Sequence, residues 1–201
     1  VLCGNDARCL QLVLNQLGRS ADPHLRRLVV AGIEQRPDLL LGVRPDFTAA
    51  VDRDLFPVIL NEADGARSMS LKVPREGEPV LMDGSNYLVP VIGLDCLNKP
   101  LGPETLFRWE LARARHSLHA GGTITPDLAA SLLLHPEGVC RDWRPGIQII
   151  PYINKADSAV QDSLVRELGQ AILHNGNFPV ERIVWGSLHF DRAGVIPPNV
   201  H

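Results

Sequence analysis

The sequence predicts an α/β fold built on a layered, mostly parallel sheet. Short apolar runs rich in β-branched residues alternate with stretches of helical period, the pattern of strand–helix repeats. Polar motifs fall directly after apolar runs, and in open parallel sheets ligands collect beyond the carboxyl ends of the strands. The chain has 201 residues, 45% of them hydrophobic but only 5% aromatic, so Leu, Val, Ile and Ala must fill the core. That length predicts one domain over residues 1–201, with a helical and loop insertion at about 95–145.

The elements follow in order. Leu10, Val13, Leu14 and Leu17 predict a helix from Asp6 to Gly18, and Leu28–Ala31 reads as a strand closed by Gly32. Arg44-Pro45-Asp46 opens a helix to about Val51, Pro45 suiting a first helical position. Pro57–Leu60 predicts a strand that delivers Asn61-Glu62-Ala63-Asp64-Gly65 to its end, and Lys72–Pro79 reads as a connector. Leu88–Gly93 is the next strand, Pro90 pointing to an edge or bulge. Helices are predicted over Glu104–His119 and Pro126–Leu134, the second capped by Thr125. A strand over Ile147–Ile153 leads into Asn154-Lys155-Ala156-Asp157, and a helix spans Ala159–His174. A strand over Arg182–Trp185 ends at Gly186-Ser187-Leu188, and the Ile196–Asn199 tail is extended.

Net charge is -3 with no basic block, which argues against a nucleic-acid partner. No apolar run reaches membrane-spanning length and no signal peptide is visible, so a cytoplasmic protein is expected. Cys3, Cys9, Cys96 and Cys140 form no CxxC pair and read as free thiols, with Cys96 and Cys140 partly buried. His116 and His119, at i and i+3, have no third ligand beside them in sequence. Ser68 and Ser70 lie in no nucleophile pattern. The first residue is Val1 rather than Met, and a segment upstream of it is expected.

Asn154-Lys155-Ala156-Asp157 matches the N-K-x-D element that reads guanine. There an ionised carboxylate, here Asp157, accepts hydrogen bonds from N1–H and the 2-amino group. Adenine offers neither donor and would leave the charge unpaired. Lys155 would lie over the base plane, Asn154 would tie neighbouring loops, and Ser187 and Leu188 sit where backbone N–H groups meet guanine O6. A strand-following surface turn is the competing reading of the same tetrapeptide. Glu62-Ala63-Asp64-Gly65 resembles the D-x-x-G element, in which an acid holds Mg²⁺ and the glycine N–H meets a terminal phosphate. Glu62 and Asp64 are therefore the candidate metal ligands, and Gly65 a nucleotide contact, with an acidic turn as the alternative. Together the two motifs resemble a P-loop NTPase of the G-protein type, a three-layer α/β domain incomplete at its N-terminus. The chain contains no G-x-x-x-x-G-K-[ST] segment.

Beyond these motifs, an ordered series of short segments is similar to the YqeC-like accessory proteins of selenium-dependent molybdenum hydroxylases. The series comprises Glu62–Ala66, Leu71–Pro74, Glu78–Val80, Val91–Asp95, Lys99–Leu101, Arg108 with Glu110, Ile124–Pro126, His135–Gly138 and the Asn154 motif, within about Leu40 to Leu188. The resemblance implies a P-loop-like accessory or maturation factor working with GTP or GDP and Mg²⁺. A molybdopterin-type cofactor and a hydroxylase client or cofactor-biosynthesis protein are the implied partners. Slow GTPase activity is implied only with a P-loop upstream. Without one, a non-hydrolytic chaperone or adaptor is the alternative. Lys72 and Arg108 match family positions that would face phosphate or a molybdopterin, or would serve as surface salt bridges. The family's Gly-Gly-Lys-Thr segment is absent, and Asn61 and Val73 replace an apolar residue and an alanine.

Overall fold

The computed structural model describes residues 51–54 and 56–198, and before them only short pieces at 2–3, 12, 16, 19, 30–31, 34–36, 39–40 and 42–43. The chain divides into two compact units, one of Val1–Glu62 with Leu81–Gly84, the other of Ala63–Val80 with Ser85–His201. In the first unit β1 (Leu2–Cys3) pairs in parallel with β2 (Val30–Ala31), and β3 (Glu34–Arg36) pairs antiparallel with β4 (Leu39–Leu40). Leu12 and Gln16 are helical, whereas the rest of the Asp6–Gly18 helix, most of Leu28–Ala31 and residues 44–50 of the helix expected after Arg44 lie outside the described residues. Pro57–Leu60 is not a strand: Val58 and Leu60 are 74% and 91% exposed, and no ladder forms along the run. An apolar run becomes a strand only when a neighbour accepts its backbone groups, and none of the described residues does so.

The second unit holds the sheet. Its strands are β5 (Tyr87–Leu88), β6 (Val91–Gly93), β7 (Gln148–Ile149), β8 (Tyr152–Asn154), β9 (Ile183–Ser187) and β10 (Arg192–Ile196). The four-stranded order is β10-β9-β8-β6, with β6, β8 and β9 parallel and β10 antiparallel to β9; β5 and β7 form a parallel pair. The two expected strands are thus each cut once, at Pro90 and within Ile150-Pro151. Proline lacks the N–H that a ladder needs, yet Tyr152 N–H still reaches Pro90 O (2.8 Å) and Val184 N–H reaches Pro151 O (3.0 Å), so the line of pairing continues. Strand β9 runs two residues beyond the expected Trp185, and the tail turns back as β10, a hairpin that the two prolines after it concealed.

Helices α1 (Trp109–His116), α2 (Pro126–Leu133) and α3 (Asp162–His174) are the α-helices of this unit. Helix α1 is half the length expected from Glu104–His119: Gly102 to Leu106 forms tight turns, and Arg108 and Ser117 bracket the helix in the left-handed region (φ 63° and 52°). Helix α2 starts at Pro126 with the Thr125 hydroxyl accepting from Leu128 N–H (3.2 Å), as its sequence predicts. Helix α3 follows a 3₁₀ turn over Ala159–Gln161, where Ser158 and Gln161 form a capping box. Val165, Leu168, Gly169 and Ile172 are its buried stripe, α2 packs against it, and Gly169 lies against the Ile196 side chain. Ile92, Ile153 and Ile183 are fully buried on that same side of the sheet. The other side carries Val91, Tyr152, Val184 and Val195 in register across all four strands, with Val91 and Val195 57% and 60% exposed.

Leu168 and Thr125 test this packing at two magnitudes. Leu168→Ala is expected to lower stability by about 2–5 kcal/mol, because it leaves a cavity between helix and sheet. Thr125→Ala removes one cap and is expected to cost about 1 kcal/mol. Urea-unfolding midpoints of both variants against the parent chain check the size and the order of the two effects.

Candidate functional site

Strands β6, β8 and β9 run the same way, so the segments after Gly93, Asn154 and Ser187 gather at one rim. At that rim the Asn154–Asp157 segment is held at several points. The Asn154 side-chain oxygen accepts from Lys155 N–H (2.8 Å), which stabilises Lys155 in the left-handed region at φ 62°. Ala156 N–H donates to Gly186 O (3.2 Å), and Arg192 donates to Ala156 O (3.0 Å) and to Asp162 (2.8 Å). Lys155 Nζ contacts Ser70 Oγ (2.7 Å) and Asp95 Oδ2 (3.0 Å), while Ser70 Oγ donates to the other Asp95 oxygen. Burial works to raise the Asp95 pKa, but the Ser70 hydroxyl and the Lys155 ammonium outweigh it, and the carboxyl is held below its ordinary value. Asp157 is exposed, and no hydrogen bond or ion pair to its carboxylate is formed among the described residues.

The other predicted residues are placed as follows. Ser187 is buried at 3% exposure as the last residue of β9, its hydroxyl accepting from Phe190 N–H (3.3 Å). Gly186 and Ser187 are therefore strand rather than loop, and only Leu188, 94% exposed, opens the turn. Gly186 is needed there because a Cβ would sit 2.6 Å from Arg192 O. Glu62 is exposed and belongs to the first unit, whereas Asp64 and Gly65 belong to the second.

Asp64 forms an ion pair with Lys72, which also donates to Gly65 O (3.0 Å). Arg108 grips Glu78 with both terminal nitrogens, one at 2.9 Å, and its guanidinium lies 4.8 Å from the Phe107 ring centre. Arg75 donates to the same Glu78 carboxylate (2.8 Å). Burial raises the Asp64 pKa beyond what Lys72 offsets, and the neighbouring Glu78 adds to the rise. Glu78 goes the other way, to about 2, its burial outweighed by the hydrogen bonds from Arg108 and Asp64.

Away from this rim, His116 meets His135 edge-on at 4.4 Å between ring centres, not His119, and burial followed by His135 lowers its pKa. No group of three or more metal-binding side chains occurs among the described residues. Cys96 and Cys140 are free and buried, and burial pushes both thiols up to about 12. The side chain of Cys3 and all of Cys9 lie outside the described residues. Among the described residues no helix is long and apolar enough to cross a membrane.

Sequence reasoning missed Ser70, Asp95 and Arg192. The legible signals were Gly93, two residues before Asp95, and the strand-end position of Asp95 itself.

An α/β chain whose parallel strands end at a rim carrying an exposed Asp157, and whose 63–80 segment holds the Asp64–Lys72 and Glu78–Arg108 ion pairs, is the class that the fold and site define. Its residues 9–110, about half of the chain, match the family described as YqeC protein, and the chain belongs to that family. It is 30% identical over 134 residues to the "Uncharacterized protein YqeC" of Escherichia coli (strain K12), which is 64% of this chain and 52% of the relative. The chain thus spans about half the length of the curated relative it matches. No solved structure matches. The family match takes in Glu62, Asp64, Lys72, Asp95 and Arg108, and ends before Lys155 and Asp157.

The Asp64–Glu78 pair has a pH signature. Glu78, depressed in the fold, contributes stability that is complete above its ordinary value of 4.5 and is lost as pH falls toward about 2. Asp64, raised in the fold, works in the opposite sense and recovers stability as it protonates. Glu78→Gln is expected to be less stable than the parent at pH 6 and to converge with it below pH ~3. Thermal midpoints of both chains across pH 2.5–7 measure the convergence; parallel curves would show that Glu78 carries no such charge.

Proposed function

We propose that this chain is the nucleotide-binding part of an accessory factor that matures selenium-dependent molybdenum hydroxylases, and that Asp157 selects guanine. The observation that carries the reading is the contrast at one rim. Asn154, Lys155 and Ala156 are each held by hydrogen bonds, while the Asp157 carboxylate is exposed and makes no hydrogen bond or ion pair among the described residues. An unpaired carboxylate on a segment held by hydrogen bonds suits two donors on a purine edge, and preorganisation of that segment reduces the cost of ordering on binding. The sheet order β6-β8-β9, with Asn154 ending the middle strand, supports a P-loop NTPase-like, three-layer domain. The maturation role and a cytoplasmic setting come from the family resemblance.

The Asp64 side fits a Mg²⁺-triphosphate site poorly. Its carboxylate is engaged by Lys72, and Arg108 is engaged by Glu78, so neither cation is unpaired for phosphate or a molybdopterin. This favours a second reading for the same rim: a non-hydrolytic adaptor that binds guanine nucleotide, or a client, without turning it over. Leu188 and Ser187 remain proposed contacts for guanine O6.

Calorimetric titration separates guanine from adenine recognition. GDP is expected to bind at least ~10-fold more tightly than ADP, a difference of about 1.4 kcal/mol. Asp157→Ala is expected to abolish the preference while leaving the thermal midpoint unchanged, since the side chain is exposed. Equal affinities for the two nucleotides would end the guanine assignment.

A further inference from the structure

Ser70, Asp95 and Lys155 come from three separate stretches of chain, and none of the three contacts between them is required by the sheet. Lys155 follows β8, whose last residue, Asn154, pairs with Gly93 at the end of β6. Asp95 lies two residues past Gly93 in a 3₁₀ turn over Leu94–Cys96, and Ser70 is tied to β6 by Gly93 N–H donating to Ser70 O (2.9 Å). Because Lys155 Nζ ends at Asp95 and Ser70, its methylenes must run from the end of β8 across the end of β6. Gly93 leaves room for this: a Cβ there would stand 2.6 Å from Ser70 Cβ and 2.7 Å from Asp95 Oδ1. The ammonium is pinned at the far end, the backbone in the left-handed region at the near end, and Asp157 begins two residues on.

We infer that Asp95 and Ser70 are positioning residues, a latch that stretches Lys155 across the rim as the apolar wall for a nucleobase whose donor edge Asp157 reads. This inference rests on the guanine reading above and adds the part of the site that would face the ring. A free lysine side chain samples many rotamers, and holding it extended before the ligand arrives removes that ordering cost from binding. The latch also neutralises the ammonium, so what faces the base is hydrocarbon stem rather than charge.

The test uses the full chain with Asp95→Asn, Ser70→Ala and Lys155→Met. Acetylation of each lysine by an N-hydroxysuccinimide ester, read by peptide mass spectrometry, reports the latch without any nucleotide. Lys155 is expected to label several-fold faster in Asp95→Asn and Ser70→Ala, with Lys72, paired to Asp64, as the internal control. GDP affinity is expected to fall roughly ten-fold in Asp95→Asn, as loss of a charge-assisted contact implies. Lys155→Met keeps an apolar stem without an ammonium to latch and is expected to lose a similar amount. The Asp95→Asn and Lys155→Met double variant is expected to lose no more than either single one. Unchanged labelling of Lys155 would overturn the latch. Faster labelling with unchanged GDP affinity would overturn its role in binding and leave only a structural ion pair. Failure of the unaltered chain to bind GDP would remove the guanine reading and this inference with it, a result distinct from either of the others.

Discussion

Parallel pairing of β6, β8 and β9 is the constraint from which the candidate site follows. A parallel ladder places all three carboxyl ends at one rim, and the register Gly93↔Asn154 sets two of those ends side by side. That adjacency is what lets Lys155 reach Asp95, lets Gly93 receive the Ser70 loop, and lets Ala156 hydrogen-bond to Gly186 on the next strand. Each of these contacts joins residues far apart in sequence. A register slip of one residue would turn Asn154 and Gly93 to the opposite face and break all of them together.

Charge pairing sorts the polar residues near the sheet into two groups. Asp64, Lys72, Glu78 and Arg108 neutralise one another over short distances with little exposure, so each is committed to holding the loop of 63–80 against Phe107. Burying a pair of charges is costly unless both are well hydrogen-bonded, and here Gly65 O and Arg75 supply further partners. Asp157 belongs to neither pair. The residue types at Glu62–Gly65 and at Asn154–Asp157 look equally functional as strings of letters, yet Asp64 is paired with Lys72 whereas Asp157 is exposed and unpaired among the described residues.

How far the sequence reached depended on whether the relevant force was local. Thr125 before Pro126 and the 3.6-residue period of Val165, Leu168 and Ile172 are local signals, and α2 and α3 follow them. The strands before Gly93 and Asn154 were legible as apolar runs, but their division at Pro90 and Pro151 depends on which N–H groups the neighbouring strand demands. Pro57–Leu60 has the composition of a strand and lacks a partner. Gly186-Ser187 has the composition of a loop but becomes strand, because the tail returns to pair with it. Lys72 and Arg108 could be listed as cations from sequence, whereas their commitment to Asp64 and Glu78 is a tertiary fact. Asp95 was unremarkable in sequence for the same reason: its partners lie 25 and 60 residues away.

The exposed apolar side chains point the same way as the free carboxylate. Leu188 at 94% and Phe190 at 54% exposure stand on the turn that follows β9, and Val160 at 90% stands just past Asp157, at the start of the turn into α3. Arg192, bonded to both Ala156 and Asp162, ties these two turns to the same end of the sheet. Apolar residues scattered singly over a surface need no explanation. Here they sit on the two turns that flank the exposed, unpaired Asp157, beside Lys155, which is paired with Asp95. A ligand suited to that surroundings is flat and apolar on its faces and carries hydrogen-bond donors on one edge. Under the proposed reading guanine suits such a surface because its N1–H and 2-amino group place two donors on one edge, whereas adenine presents N1 there as an acceptor.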